Sequence, residues 1–241
     1  MERQMAGTSG TTAKDMIKRG FWVGFPIMLG YLPIAITYGV LAKQAGLSLL
    51  ELTSMSALVF AGASQFMAAN MIAIGAGAVE IIIATLVLNF RHFVMSLSYS
   101  NHARDIGRSW KVPLSLGLTD ETFAVSAIHK DEGKKAYGRY FYAALILTAY
   151  SSWVIGSLLG GLLGEVIPPR LSESMGIALY AMFIGLLIPS VKKELKVGLI
   201  ALFAMLLNYL FGLYLSEGWS IVLATVISGF SGVFLLKEDQ S

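Results

Sequence analysis

The chain has 241 residues, of which 56% are hydrophobic and 14% charged, with a mean hydropathy of +0.68 and a formal net charge of +3. Soluble domains carry about 25% charged residues, so this composition excludes a soluble globular protein and indicates a polytopic membrane protein. Cysteine is absent, which excludes disulfides, thiolate metal sites and cysteine nucleophiles.

Apolar blocks run at Phe21–Ala42, Leu52–Ile74, Val79–Tyr99, Tyr140–Leu163, Gly176–Pro189, Val197–Tyr214 and Trp219–Leu236. Most approach the roughly 17–25 residues that a helix needs to cross hydrocarbon. Long leucine- and alanine-rich runs without two-residue alternation argue against a barrel. With a shorter element at Pro113–Ile128, the expectation is an all-α membrane helical bundle of about seven to eight segments, at least one of them short or broken. The predicted organisation is a polar lead at residues 1–20, one transmembrane domain at 21–236 and a short tail at 237–241. The first block lacks a cleavage site after it and reads as a retained helix.

In the first block, Pro33 lacks an N–H and, with Gly30 and Gly39, predicts a kink around Tyr31, Thr37 and Tyr38. The second block places Ala57, Ala61, Ser64 and Ala68 on one helical face, a strip that permits close packing. Gln65 beside it carries an amide that must find partners in hydrocarbon. The third block, VEIIIATLVLNFRHFVMSL, sets Asn89, Arg91 and His92 at its middle. Thr85, Asn89, His92 and Ser96 follow helical spacing and form one polar stripe. A cation at mid-membrane costs roughly 2.5–3.5 kcal/mol on insertion scales, so Arg91 is expected to face a cavity or a partner.

Pro113–Ile128 would reach only about 24 Å as helix, against a core of about 30 Å. Gly117, followed by Thr119, Asp120 and Glu121, reads as a gap between two half helices, with Asp120 a candidate N-cap. Gly156, Gly160 and Gly164 then form overlapping GxxxG spacings, a helix-contact face within the subunit or against another. No internal repeat is convincing on inspection.

Lys14, Lys18 and Arg19 place the N-terminus in the cytoplasm by the positive-inside rule, and Lys130, Lys134, Lys135 and Arg139, then Lys192, Lys193 and Lys196, then Lys237, fit the same side. Both termini are therefore expected inside. One loop disagrees: strict alternation puts Asn101–Lys111, with Arg104, Arg108 and Lys111, outside. An element between Leu52 and His129 is then expected to be re-entrant. The basic residues are spread over short loops, so the positive charge orients the protein and does not point to nucleic acid. His92, His102 and His129 lack ligand spacing, and no metal or cofactor is expected.

Three polar nodes stand in order: AGASQF at Ala61–Phe66, NFRH at Asn89–His92 and GLTDETF at Gly117–Phe123. With YLPIAITYG at Tyr31–Gly39 and SSWVIG at Ser151–Gly156, they resemble the AzlC family, the large subunit of bacterial branched-chain amino acid exporters. The resemblance implies export of branched-chain and related hydrophobic amino acids driven by the proton-motive force. It also implies a small membrane partner of the AzlD type and a place in the bacterial inner membrane.

The residues suit that role. A zwitterion needs a cation or helix N-terminus for its carboxylate, acceptors for its ammonium and an apolar pocket for its side chain. Arg91 is the candidate for the carboxylate, with Gln65, Ser64, Asn89, Tyr31, Thr119 and Asp120 as substrate-site candidates. Asp120, Glu121 and His92 are candidates for carrying the coupled proton. Phe60, Phe66, Phe90 and Phe123 either line the apolar part or pack in the core. Two alternatives stand beside the exporter: a passive channel, and an intramembrane hydrolase with Ser64 as nucleophile and His92 as base. No oxyanion-hole pattern supports the second, and the leading expectation is not an enzyme.

Overall fold

The computed structural model describes residues 12–102, 106–164, 166–168, 177, 181, 184–185 and 187–235. Among them every regular element is helical, as expected. In chain order these are α1 (Ala13–Gln44), α2 (Leu49–Leu58), α3 (Gly62–Ala73), α4 (Ala78–His102), α5 (Arg108–Leu116), α6 (Asp120–Ile128), a 3-10 turn at Lys130–Lys134, α7 (Gly138–Leu163), α8 (Leu195–Gly212) and α9 (Glu217–Leu235). By length and composition α1, α4, α7, α8 and α9 can each cross a membrane. The expected block at Gly176–Pro189 lies largely outside the described residues, as do residues 1–11, Arg104 and Lys237.

The chain divides into two compact units, Met1–Ala35 with Arg91–Gly156, and Ile36–Phe90 with Ser157–Ser241. Each contains a pair of short helices.

In the first unit this pair is α5 and α6. Trp110, at the start of α5, packs edge-on to Tyr140, at the start of α7, with ring centroids 5.5 Å apart. At the far end of α6 the His129 carbonyl accepts a hydrogen bond from the Tyr142 hydroxyl at 3.0 Å. Both outer ends of the pair thus lie beside the first turns of α7, so the chain enters and returns. Helices of nine residues reach only about 14 Å each. The pair is a re-entrant hairpin with its tip at Gly117–Thr119. That tip lies deep: a Cβ added at Gly117 would sit 2.4 Å from Ile146 Cγ2, and Ile146 is about 12 Å along α7 from Gly138. Close approach therefore accounts for glycine at this break.

Strict alternation, which would separate Arg108 and Lys111 from the N-terminal end of α1, does not hold in this unit. Arg19 of α1 pairs with Glu132 at 2.8 Å, and Tyr99 near the end of α4 meets Tyr142 with centroids 6.0 Å apart. Lys111 Nζ donates to the Ser100 carbonyl at 3.2 Å. Arg108 and Lys111 therefore share one end of the unit with Arg19 and the 130–135 lysines. Alternation fails because a pair of short helices that turns back does not cross, and α2–α3, of 10 and 12 residues, precedes this loop just as α5–α6 follows it. The core of this unit joins Met16, Tyr99, Leu114, Leu118, Phe141 and Tyr142. Helix α1 continues through Pro26 and Pro33, so neither proline ends it.

In the second unit the expected single block Leu52–Ile74 is two helices, and the strip of Ala57, Ala61, Ser64 and Ala68 does not share one helical face. A capping box between Ser48 and Glu51 starts α2. The break falls at Phe60, whose φ of +43° is a strained conformation for a bulky residue. Gln65 offsets the lost helical bonding: its Oε1 accepts from the Ala61 N–H at 3.2 Å, and its Nε2 donates to Ser56 Oγ at 2.9 Å. That second bond reaches back nine positions and turns the chain. Met71, Ala84 and Val222 knit α3, α4 and α9 together.

The GxxxG face of α7 is occupied by α1. A Cβ on Gly156 would meet Ala35 Cβ at 2.7 Å in the first unit. In the second unit a Cβ on Gly160 would lie 2.0 Å from the Ile36 carbonyl oxygen, and one on Gly164 would lie 2.8 Å from Lys43 Cβ. A Cβ on Gly39 of α1 would likewise lie 2.1 Å from the Ser157 carbonyl oxygen. This face is internal and not a surface for another subunit.

Candidate functional site

The tip of the α5–α6 hairpin carries the charged cluster. Thr119, extended at φ −123° and ψ 172°, caps α6 and shares a capping box with Thr122. The cap is thus Thr119 and not Asp120. This frees Asp120 and Glu121, in the first turn, to point at neighbouring helices, where the positive end of the helix dipole favours carboxylates.

Arg91 of α4 meets Asp120, Nη1 to Oδ2, at 2.5 Å, with side chains 36% and 33% exposed. His92, the next residue, sets Nδ1 3.0 Å from the Leu118 carbonyl in the α5–α6 break. A carbonyl only accepts, so Nδ1 carries the hydrogen and Nε2 is left as an acceptor in the neutral ring. Tyr31 of α1 completes the cluster. Its hydroxyl lies 2.6 Å from Thr119 Oγ1 and donates to Glu121 Oε2. Its ring stands edge-on to Trp153 of α7, centroids 5.5 Å apart. Four elements thus converge on one tip.

Two polar atoms in this cluster, Arg91 Nε and His92 Nε2, are buried with no hydrogen-bond partner among the described residues. Buried polar atoms are rarely left unsatisfied. A donor from a guanidinium and an acceptor from an imidazole, both open, form a pair that a zwitterion can answer at both ends.

The second unit carries a separate, uncharged cluster at the α2–α3 break. Ser64 Oγ donates to the Ala61 carbonyl at 2.9 Å and accepts from Asn89 Nδ2 at 2.9 Å. Gln65 is fully buried, and Ser56 Oγ, which it bonds, donates to Ser157 of α7 at 2.7 Å. The Tyr38 hydroxyl donates to the Leu52 carbonyl at 3.4 Å, and its ring packs edge-on to Phe66. Asn89 Oδ1 is buried without a partner among the described residues.

The structure thus gathers Tyr31, Arg91, His92, Thr119, Asp120 and Glu121 at one tip, and Ser64, Gln65 and Asn89 at the other. Each set lies within its own unit. Within the second unit the hydrogen bonds of Ser64 go to the Ala61 carbonyl and to Asn89, neither of which is a general base. Thr85 bonds back to the Ile81 and Ile82 carbonyls of its own helix, which takes it out of the functional stripe. Phe60 and Phe66 are buried, whereas Phe90 is 62% exposed on α4. Ser56 and Ser157 escaped the sequence reading. The only signal for them was their place in apolar helices next to small residues.

The sequence profile described as AzlC protein matches residues 26–167, more than half of the chain. The chain belongs to the AzlC family. An uncharacterized membrane protein of Archaeoglobus fulgidus is 35% identical over 179 residues, covering 73% of this chain and 77% of that protein. The inner membrane protein YgaZ of Escherichia coli is 28% identical over 210 residues, 85% and 84% of the two chains. The branched-chain amino acid transport protein AzlC of Bacillus subtilis is 28% identical over 171 residues, 71% and 66%. No solved structure matches. With these relatives and five helices able to span a bilayer, the chain is a multi-pass membrane protein. The AzlC match spans both short-helix pairs and the central part of α4 that carries Asn89, Arg91 and His92.

Proposed function

We propose that this AzlC-family chain exports branched-chain and related hydrophobic amino acids across the inner membrane, with the α5–α6 tip as the polar centre of the transport site. The observation that carries the reading is the Arg91–Asp120 pair at that tip, beside two unsatisfied buried atoms, Arg91 Nε and His92 Nε2. Transport of branched-chain amino acids is what the Bacillus subtilis relative is named for; with this chemistry it supports the substrate class, and export is the direction proposed.

Arg91 takes the substrate carboxylate through its planar fork. Because Asp120 already holds Arg91, substrate and Asp120 compete for the same guanidinium. Protonation of Asp120 releases Arg91 for the substrate, and loss of the substrate returns the carboxylate to it. The exchange ties a proton to each transport cycle without any separate gate. Glu121, held by Tyr31, and His92, with Nε2 open, serve the ammonium end or pass the proton on. The neutral cluster of Ser64, Gln65 and Asn89 offers a second set of hydrogen-bonding groups for substrate within its own unit. A small membrane subunit of the AzlD type completes the exporter on a face other than the α7 glycines, and both termini lie in the cytoplasm.

The test is efflux of labelled leucine, isoleucine, valine and methionine from cells expressing the chain with and without the small subunit, in the presence and absence of an uncoupler. The expected result is efflux that needs both subunits and collapses with the uncoupler. Flux that ignores the uncoupler and follows the substrate gradient would establish a passive channel instead. Full rates from the purified chain alone in liposomes would remove the partner from the account.

A further inference from the structure

At the outer end of the first unit, away from the hairpin tip, a cavity of about 300 Å³ opens where the start of α5 faces the start of α7. Ile106, Gly107, Gly133, Lys135, Tyr137 and Arg139 line it. Its charge is one-sided. Glu132 Oε1 is shared by Arg19 and Lys135, each at 2.8 Å, and Asp131 is taken by Lys134 at 2.7 Å. Arg139 has no carboxylate partner among the described residues. Its guanidinium lies over the rings of Trp110 and Tyr140, 5.6 and 5.1 Å from their centroids, which holds it in place and leaves its N–H edge for an acceptor.

The surroundings select the kind of anion. Trp110, Tyr137 and Tyr140 are the amphipathic aromatics that collect at a membrane interface. Farther along α5, the helix whose start adjoins the cavity, Val112 and Leu116 are exposed by 65% and 80% and offer an apolar surface. A phosphate attached to acyl chains meets both the cavity and this surface, whereas a free phosphate meets only the cavity. The end of the unit is also the one bearing Arg19, Arg108, Lys111 and Lys130, and cytoplasmic leaflets are anionic. We propose that this cavity binds the phosphate headgroup of an anionic phospholipid, with Arg139 and Lys135 as its ligands and an acyl chain along α5.

The full chain, purified in a non-ionic detergent, is titrated with phosphatidylglycerol, phosphatidylcholine or inorganic phosphate while its thermal unfolding midpoint is followed. Phosphatidylglycerol is expected to raise the midpoint saturably, with the other two inert. Lys135→Gln with Arg139→Gln should weaken the apparent affinity roughly 10- to 30-fold, as about 1 kcal/mol per basic residue at an anionic surface implies. Lys192→Gln with Lys193→Gln, on another basic segment, should leave it unchanged. An equal response to inorganic phosphate would make this a free-anion site and overturn the lipid assignment. So would an equal response to phosphatidylcholine, or equal losses in both double variants. If the Arg139→Gln chain does not fold, Lys135→Gln alone and native mass spectrometry of the wild type decide: an unchanged affinity in the first, or no retained phosphatidylglycerol in the second, contradicts the proposal.

Discussion

At the residue scale, the cluster assigns different tasks to side chains of similar charge. Arg91 offers both charge and a planar fork, so Arg91→Lys keeps the charge but loses the geometry. Efflux is expected to fall roughly 10- to 100-fold, the equivalent of one charge-assisted hydrogen bond of about 1.5–3 kcal/mol, with membrane abundance near wild type. Tyr31→Phe removes the hydroxyl that serves both Thr119 and Glu121. At about 1 kcal/mol for a lost hydrogen bond, it should lower efflux severalfold while the ring still packs on Trp153. Unchanged efflux at matched abundance would remove Tyr31 from the site. Arg91, His92 and Asp120 were legible in the sequence because a charge in an apolar helix needs a reason. Tyr31 was a substrate-site candidate from the sequence, but its partners Thr119 and Glu121 became visible only when α1 was placed against the hairpin tip. Ser56 and Ser157 were not legible, since a serine in a membrane helix usually bonds its own backbone and carries no cost signal.

At the element scale, the break at Gly117 was predictable because proline, glycine and a short polar run coincide within a segment too short to span. The break at Phe60 was not. VFAGASQF reads as continuous apolar helix, and the turn depends on Gln65 taking over the Ala61 N–H, a tertiary bargain invisible to periodicity. Cap identity was missed for a related reason: Asp120 and Thr119 are both good caps, and Asp120 is drawn off by Arg91. Thr119→Ala should cost about 1 kcal/mol of stability, and Thr119→Ser should recover it, read from thermal unfolding in detergent. The α1–α7 contact gives a sharper contrast within one helix. Gly39→Ala would drive a Cβ to 2.1 Å from a backbone oxygen, an overpacking expected to cost about 1–3 kcal/mol or more. Gly30→Ala meets nothing within 4 Å and should be neutral or stabilising. Equal stability in the two variants would dispose of the close-packed interface.

At the scale of the whole molecule, the sequence contained the clue to topology as a contradiction: a basic loop on the wrong side. Two pairs of short helices that do not cross resolve it, α2–α3 before the loop and α5–α6 after it, and the second pair makes a prediction that the absence of cysteine renders clean. Ser109→Cys and Lys134→Cys, made singly, should be labelled by a membrane-impermeant thiol reagent from the same side of the membrane. Labelling from opposite sides would restore a spanning α5–α6. A likeness between the units was hidden from inspection because it lies in the order of elements. Each unit pairs two short helices around an irregular tip whose second helix opens on a short polar motif, Ala63–Phe66 in one and Asp120–Phe123 in the other.

The central claim, that Arg91 acts on substrate from its own place on α4 and is not merely half of a structural ion pair, is tested most directly by exchanging the partners. Arg91→Asp alone should reduce membrane abundance, because it faces two carboxylates at the tip. Arg91→Asp combined with Asp120→Arg restores opposite charges and should recover abundance. Efflux of labelled leucine by the double variant is expected to stay at background, since the guanidinium now projects from the hairpin tip. Efflux that returned in step with abundance would show that the pair only holds the helices together, and would contradict the account.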